Sequence, residues 1–129
     1  MTIASTLAAT TAAAALAGSL AGGASLKVTV SAPGHTPKIG PHWVYMVRAT
    51  EGGKPATGEL TEQIVDPLGG RHAVEFGTST KTITNWRFKG VFRDFIVWPP
   101  DSRGIPLTFR VIVVVGGAKR VVDYRVTPR

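Results

Sequence analysis

Apolar and polar residues alternate with a period of two along most of the chain after residue 25. In the segment 107–115, for example, every second residue from Leu107 to Val115 is apolar. This alternation is typical of an antiparallel strand with one face on a core, and no window after residue 25 shows a helical period. The pattern predicts seven strands, at 26–31, 43–49, 60–65, 72–76, 92–98, 107–115 and 120–127.

Glycine and proline separate these segments where turns are expected. Gly116-Gly117 lies between two β-branched runs and predicts a tight hairpin between the last two strands, while 67–70 predicts the turn between strands three and four. A chain of 129 residues, 43% of them hydrophobic, has the length and composition of one globular domain. We therefore expect residues 26–129 to form an all-β domain, an immunoglobulin-like antiparallel β-sandwich of about seven strands.

The aromatic residues of the predicted strands indicate where the core lies. We expect Trp43, Phe109 and Tyr124 to form its aromatic centre, because each lies on the apolar face of its strand. Trp98 directly precedes two prolines, and we expect it to cover one end of the core.

The first 25 residues differ from the rest of the chain in composition. They contain ten alanines and no charged side chain, and they end in a run of small residues at 21–25. An apolar middle followed by small residues is typical of an export leader, although the basic start of such leaders is absent. A flexible Ala/Thr/Gly-rich tail is the alternative. The segment is too weakly apolar for a stable transmembrane span.

Several segments together resemble a known class of proteins. These are Leu26-Lys27-Val28-Thr29-Val30, Trp43-Val44-Tyr45-Met46-Val47, Ile64-Val65-Asp66-Pro67-Leu68-Gly69-Gly70, Phe92-Arg93-Asp94 and Pro106-Leu107-Thr108-Phe109-Arg110-Val111. After a leader, this pattern resembles small exported immunoglobulin-like proteins of high-GC bacteria, and its strands are similar to fibronectin type III modules. The resemblance implies a secreted or cell-envelope location and a role in adhesion, spacing or ligand binding, and it implies no catalytic residue.

The charge of the chain suggests a class of partner. Fifteen Lys and Arg against eight Asp and Glu give a net charge of +7, and a basic surface attracts polyanions. For an exported protein, the expected partner is an anionic envelope polymer, a glycan or another protein. An intracellular nucleic-acid-binding protein is an alternative from another class, although the basic residues form no continuous run.

Few residues suggest catalytic or metal chemistry. The chain has no cysteine, no nucleophile-elbow motif and no phosphate-binding glycine loop, so we expect no enzyme activity and no cofactor. His35 and His42 flank one loop, and a periplasmic metal site that uses both is an alternative function. Asp94 lies among apolar residues, and we expect it to be partly buried and paired with Arg93 or Arg110.

A long polar segment at 77–87 offers the best candidate for recognition. Long loops of sandwich proteins often bind partners, and this one ends in Asn85, Trp86 and Arg87. We expect Trp86 either to stack on a ligand, with Asn85, Arg87 and Lys81 beside it, or to fold back over the edge of the sandwich.

Overall fold

The computed structural model describes residues 25–129, which form two antiparallel sheets that face each other as a sandwich. The strands in this range are β1 (Leu26–Ser31), β2 (His42–Glu51), β3 (Lys54–Pro55), β4 (Thr57–Val65), β5 (Arg71–Ala73), β6 (Trp86–Lys89), β7 (Val91–Val97), β8 (Leu107–Val115) and β9 (Ala118–Val126). One 3-10 turn, Pro100–Ser102, lies between β7 and β8. The all-β sandwich predicted for residues 26–129 is confirmed, whereas the predicted leader lies almost entirely outside the described residues.

The chain crosses between the sheets three times. The first sheet contains β1, β2 and β3, and β7 returns to pair with β2 on the side opposite β1. The second sheet has the order β9-β8-β4-β5, and β6 pairs with the first half of β4. The strands β1 and β9 lie beside each other and close one side of the sandwich. On the other side, the edge strands β5 and β7 are not paired with each other.

Alternating residues of both sheets fill the core. On β2, Trp43, Tyr45, Val47 and Ala49 are buried, and on β8 the buried residues are Phe109, Val111, Val113 and Val115. The Trp43 ring lies 5.8 Å from Phe109 and 5.8 Å from Tyr124, between centroids, so the predicted aromatic centre is confirmed. Trp98 is buried as expected and meets Trp43 edge to face at 5.5 Å.

The predicted turns have the expected backbone. Gly116 has φ +57° and joins β8 to β9 through a two-residue hairpin, in which Val115 pairs with Ala118. The turn between β4 and β5 is held by Asp66, whose Oδ1 accepts hydrogen bonds from the backbone N–H groups of Leu68 and Gly70. A short polar side chain that satisfies the backbone two residues on is a common way to stabilise such turns.

Two predicted segments differ from the structure. The strand predicted at 72–76 ends at Ala73, and Glu75 forms only an isolated bridge with Thr82. The segment predicted as a loop at 77–87 is shorter, because residues 74–83 form a small hairpin and β6 begins at Trp86. Both differences arise where the neighbour of β4 changes from β5 to β6. At this point the C=O of Glu62 accepts a hydrogen bond from the N–H of Val74, and the N–H of Glu62 donates one to the C=O of Ile83.

Candidate functional site: a groove between the two sheets

A groove of about 500 Å³ lies on the side of the sandwich where the two sheets are not joined. One wall is formed by residues 72–77 of β5 and the following hairpin, and the other by residues 95–99 at the end of β7. Ile64 and Leu107 also line it, from the second sheet. We refer to this feature as the side groove. Its size falls in the range of small-molecule and peptide sites.

The hairpin 74–83 limits the side groove at one end by contacting β7. The backbone N–H of Gly77 donates to the carboxylate of Asp94, at 3.0 Å from Oδ2. Gly77 also lies against the ring of Phe95, so closely that a Cβ atom there would be 2.6 Å from the ring. Glycine is therefore required for this approach.

The predicted pairing of Asp94 with an arginine is wrong. The Arg110 guanidinium instead donates two hydrogen bonds to Asp123, at 2.8 and 2.9 Å, and this contact raises the pKa of Arg110 and lowers that of Asp123. Arg93 donates to the sulfur of Met46 at 3.7 Å. Asp94 is directed away from both arginines because it lies opposite Tyr45 in the ladder and shares its inward face.

A buried acid lies in the core behind the hairpin. Glu62 is 0% exposed, and its Oε1 accepts a short hydrogen bond from the hydroxyl of Tyr45. Its Oε2 has no hydrogen-bond partner within residues 25–129. Burial raises the pKa of Glu62 to about 8, with a further contribution from the nearby negative charge of Asp94, and the hydrogen bond from Tyr45 opposes this increase. Burial and the carboxylates likewise raise the pKa of Tyr45.

Trp98 lines the side groove, and its indole N–H is a buried polar group. The residue is 2% exposed, and its indole N–H has no hydrogen-bond partner in the described part of the chain. A buried donor without an acceptor costs about 1–3 kcal/mol.

Among the residues described, the lining of the side groove carries one acidic side chain and no Lys or Arg, although the chain as a whole is basic. Glu75 is the acidic residue of the lining. Asp66 adjoins the lining through a 2.8 Å contact with His72, and Asp94 adjoins it through Gly77. The His72 side chain and the backbone of Gly70 lower the pKa of Asp66. The site therefore favours a neutral or cationic ligand.

The structure brings Lys81 and Trp86 together, among the residues predicted for recognition at 81–87. Trp86 is 38% exposed, meets Phe76 edge to face at 4.9 Å, and has the Lys81 ammonium 5.5 Å from its ring. It thus folds over the sandwich edge, which is one of the two arrangements expected from the sequence. Arg87 follows Trp86 on β6 and lies on the opposite face of the sheet. Asn85 has φ +49° and donates its backbone N–H to Thr61, which identifies it as a turn residue.

The histidines of the predicted metal site pack on different aromatic rings. The ring of His35 stacks on Tyr124 of β9 at 4.3 Å, and its Nδ1 lies 2.6 Å from the carbonyl oxygen of Arg125. His42 stacks on Phe95 of β7 at 3.8 Å. Within residues 25–129 no three His, Asp or Glu side chains are grouped so that they could hold a metal ion. A site of His35 and His42 alone stays a prediction.

The side groove and the buried Glu62 were not predicted from the sequence, although the alternation of apolar and polar residues indicates part of each. Alternation in the segment 60–65 places Glu62 on the same face as Leu60 and Ile64, which indicates an acid that faces the core. In the same way His72, Val74 and Phe76 share a face, and all three line the groove. The position of β7 opposite β5 depends on pairing over long distances, which no local pattern shows.

Comparison with known proteins gives little further information. No protein-family model and no curated protein sequence matches the chain. Among solved structures, the chain is similar to a DUF4466 family protein from Parabacteroides merdae, with 13% sequence identity and a TM-score of 0.45. The similarity covers 81% of this chain and 44% of that protein's chain. No helix in residues 25–129 is long and apolar enough to cross a membrane.

Proposed function

We propose that the chain is a non-catalytic, exported module of the immunoglobulin-like type that binds its partner in the side groove. The observation that carries the proposal is the groove itself, which combines a largely apolar lining with the polar side chains of His72, Glu75 and Ser79. A cavity of this size with a few convergent polar groups is the usual form of a binding site.

The order of the strands supports the immunoglobulin-like assignment. The chain builds β1 to β3 in one sheet and β4 to β6 in the other, returns to the first sheet for β7, and ends with β8 and β9 in the second. This exchange of strands between two packed antiparallel sheets is typical of immunoglobulin-like and fibronectin type III modules. The uncharged, Ala-rich segment 1–25 supports export. The mass of the mature protein recovered from its native host tests export, because removal of a leader shortens the chain by about 25 residues.

Binding in the side groove is tested by titration of the full chain, labelled with ¹⁵N, with three probes: a random peptide mixture, a panel of neutral oligosaccharides, and heparin. We expect one probe to shift the amide signals of Ala73 and Val97, on the two walls. A His72→Trp variant fills the groove and should weaken this binding, whereas Val121→Trp adds the same side chain at an exposed position on β9.

A His72→Ala variant completes the design, since it removes the contact with Asp66 but leaves the groove open. If His72→Ala binds and His72→Trp does not, occupancy of the groove is responsible. Equal binding of every probe by the wild type and by His72→Trp would refute the proposal. Salt-sensitive heparin binding that His72→Trp does not affect would instead support a polyanion-binding surface elsewhere on the chain.

A further inference from the structure

The edge of β7 beside the side groove has backbone groups that are directed away from its own sheet. In the β2–β7 ladder, Gly90 accepts a hydrogen bond from Ala49 of β2, and hydrogen-bonded pairs alternate from there along the two strands. Residues 92, 94 and 96 therefore bond to β2. The N–H and C=O groups of Phe95 and Val97 are directed outward, into the wall of the groove.

The opposite wall, at β5, likewise has backbone groups that are directed away from its own sheet. Val74 donates to Glu62, and Asp66 donates to Gly70, so the hydrogen-bonded positions of the β4–β5 ladder are 70, 72 and 74. Ala73 lies between two of them, and its N–H and C=O are directed away from β4. Among residues 25–129, these outward backbone groups pair with no other strand, so both walls of the side groove end in a strand edge, a surface that commonly accepts one more strand.

The lining and the rim specify the chemistry of such a strand. An added strand alternates its side chains between two faces, and those on the inner face would meet the apolar lining that Ile64, Phe76 and Leu107 provide. Glu75 of the lining, with Asp66 beside it at His72, complements Lys or Arg side chains.

We propose that the side groove binds an extended polypeptide segment by main-chain pairing with Phe95 and Val97, and that the preferred segment alternates apolar residues and carries flanking basic residues. This inference rests on the proposed function, for which it names the class of ligand. An oligosaccharide is the competing ligand, and it would use the polar groups of the rim without strand pairing.

The test starts with selection of binders to the full chain from a random decapeptide library displayed on phage. The selected sequences are then synthesised with free and with singly N-methylated backbones. We expect alternating apolar residues with Lys or Arg at the ends. N-methylation should weaken binding about tenfold at every second residue and much less at the residues between, because one hydrogen bond to β7 is lost at alternate positions only.

Two proline variants test the same contact from the side of the protein. Val97→Pro removes an N–H that makes no bond to β2, and it should weaken the selected peptides about tenfold. Val121→Pro is the matched control, since Val121 is exposed to a similar degree, 50% against 48%, and its N–H is directed away from β8 at an edge outside the groove. The control should leave affinity within about twofold. Bound peptide should also shift the indole N–H signal of Trp98.

The outcomes separate the two proposals. Position-dependent effects of N-methylation, together with loss of binding in Val97→Pro but not in Val121→Pro, support strand pairing. Peptides that bind equally well to Val97→Pro, or that tolerate every N-methyl group, overturn it. An oligosaccharide that shifts the groove signals while no peptide binds also overturns it, although the proposed function stands. Both proposals fail if no probe distinguishes His72→Trp from the wild type.

Discussion

The buried acid Glu62 makes the stability of this protein depend on pH in an unusual direction. The pKa of its side chain is about 8 in the folded protein, against 4.5 for an ordinary glutamate. The folded protein therefore holds the Glu62 proton more tightly than the unfolded chain does. Stability from this residue is complete below pH 4.5 and is lost as the pH rises towards 8.

The size of the effect follows from the two pKa values. Each pH unit between them changes the free energy of unfolding by about 1.4 kcal/mol. Because each state is only half titrated at its own pKa, Glu62 removes about 4 kcal/mol between pH 4.5 and pH 8, and about 3 kcal/mol of this is already lost at pH 7. A domain of this size is stable by about 5–15 kcal/mol, so the loss is a large fraction of the total.

Glu62→Gln keeps the shape of the side chain and removes its ionisation. We expect the variant to lie close to the wild type at pH 4.5 and to be more stable by about 3 kcal/mol at pH 7. Urea unfolding of both proteins between pH 4.5 and pH 9 at constant ionic strength measures the difference, with fluorescence from the buried Trp43 and Trp98 as the signal. The difference between the two proteins cancels the contributions of other titrating groups.

Glu75→Gln is the matched control, because it makes the same chemical change at an exposed position. Wild-type and Glu62→Gln curves that remain parallel from pH 5 to pH 8 would refute the reasoning, since they would mean that Glu62 binds its proton equally in both states. A variant that became less stable than the wild type at pH 8 would show that the Glu62 carboxylate is needed in its ionised form.

Three further substitutions test the packing around the groove and the core. Tyr45→Phe removes the hydroxyl that donates to Glu62. We expect the free energy of unfolding to fall by about 1–3 kcal/mol at pH 6, and the midpoint of the Glu62-dependent change in stability to move to higher pH, because the lost hydrogen bond lowers the pKa of Glu62. An unchanged midpoint in the urea unfolding curves would contradict this. Gly77→Ala places a Cβ against Phe95 and should cost about 1–3 kcal/mol in urea unfolding, whereas Gly117→Ala, where no atom lies within 4 Å, should stay within about 0.5 kcal/mol. Phe109→Ala opens a cavity between the sheets and should cost about 3–5 kcal/mol, measured against Val121→Ala as an exposed control.

The fold class followed from local alternation because each long strand has one face on the core. The strands β2 and β8 bury every second residue over most of their length, so their pattern alone identifies them. The strands that were missed are short or irregular. Lys54–Pro55 has two residues, and Trp86–Lys89 buries only Phe88.

The candidate site was less predictable because it arises from contacts between distant segments. The partner of Asp94 is a backbone N–H at Gly77, a group present in every residue except proline, and no side-chain pattern identifies it. Charge alone favoured an arginine partner, but the alternation of β7 directs Asp94 inward and Arg93 outward. The signal at Glu62 was present in the pattern, and it shows that an acid on an apolar face should be considered as a protonated core residue.

The two sides of the sandwich differ in how completely the two sheets are joined. On the closed side, β1 lies beside β9, and Trp43 packs on Tyr124 and Phe109, so the core is continuous there. On the open side, the sheets are joined mainly through the hairpin 74–83, whose Gly77 meets Asp94 and Phe95. The strand proposed to enter the groove would bury the apolar residues between β5 and β7 and pair with the edge of β7, which closes the side that the unliganded fold leaves open.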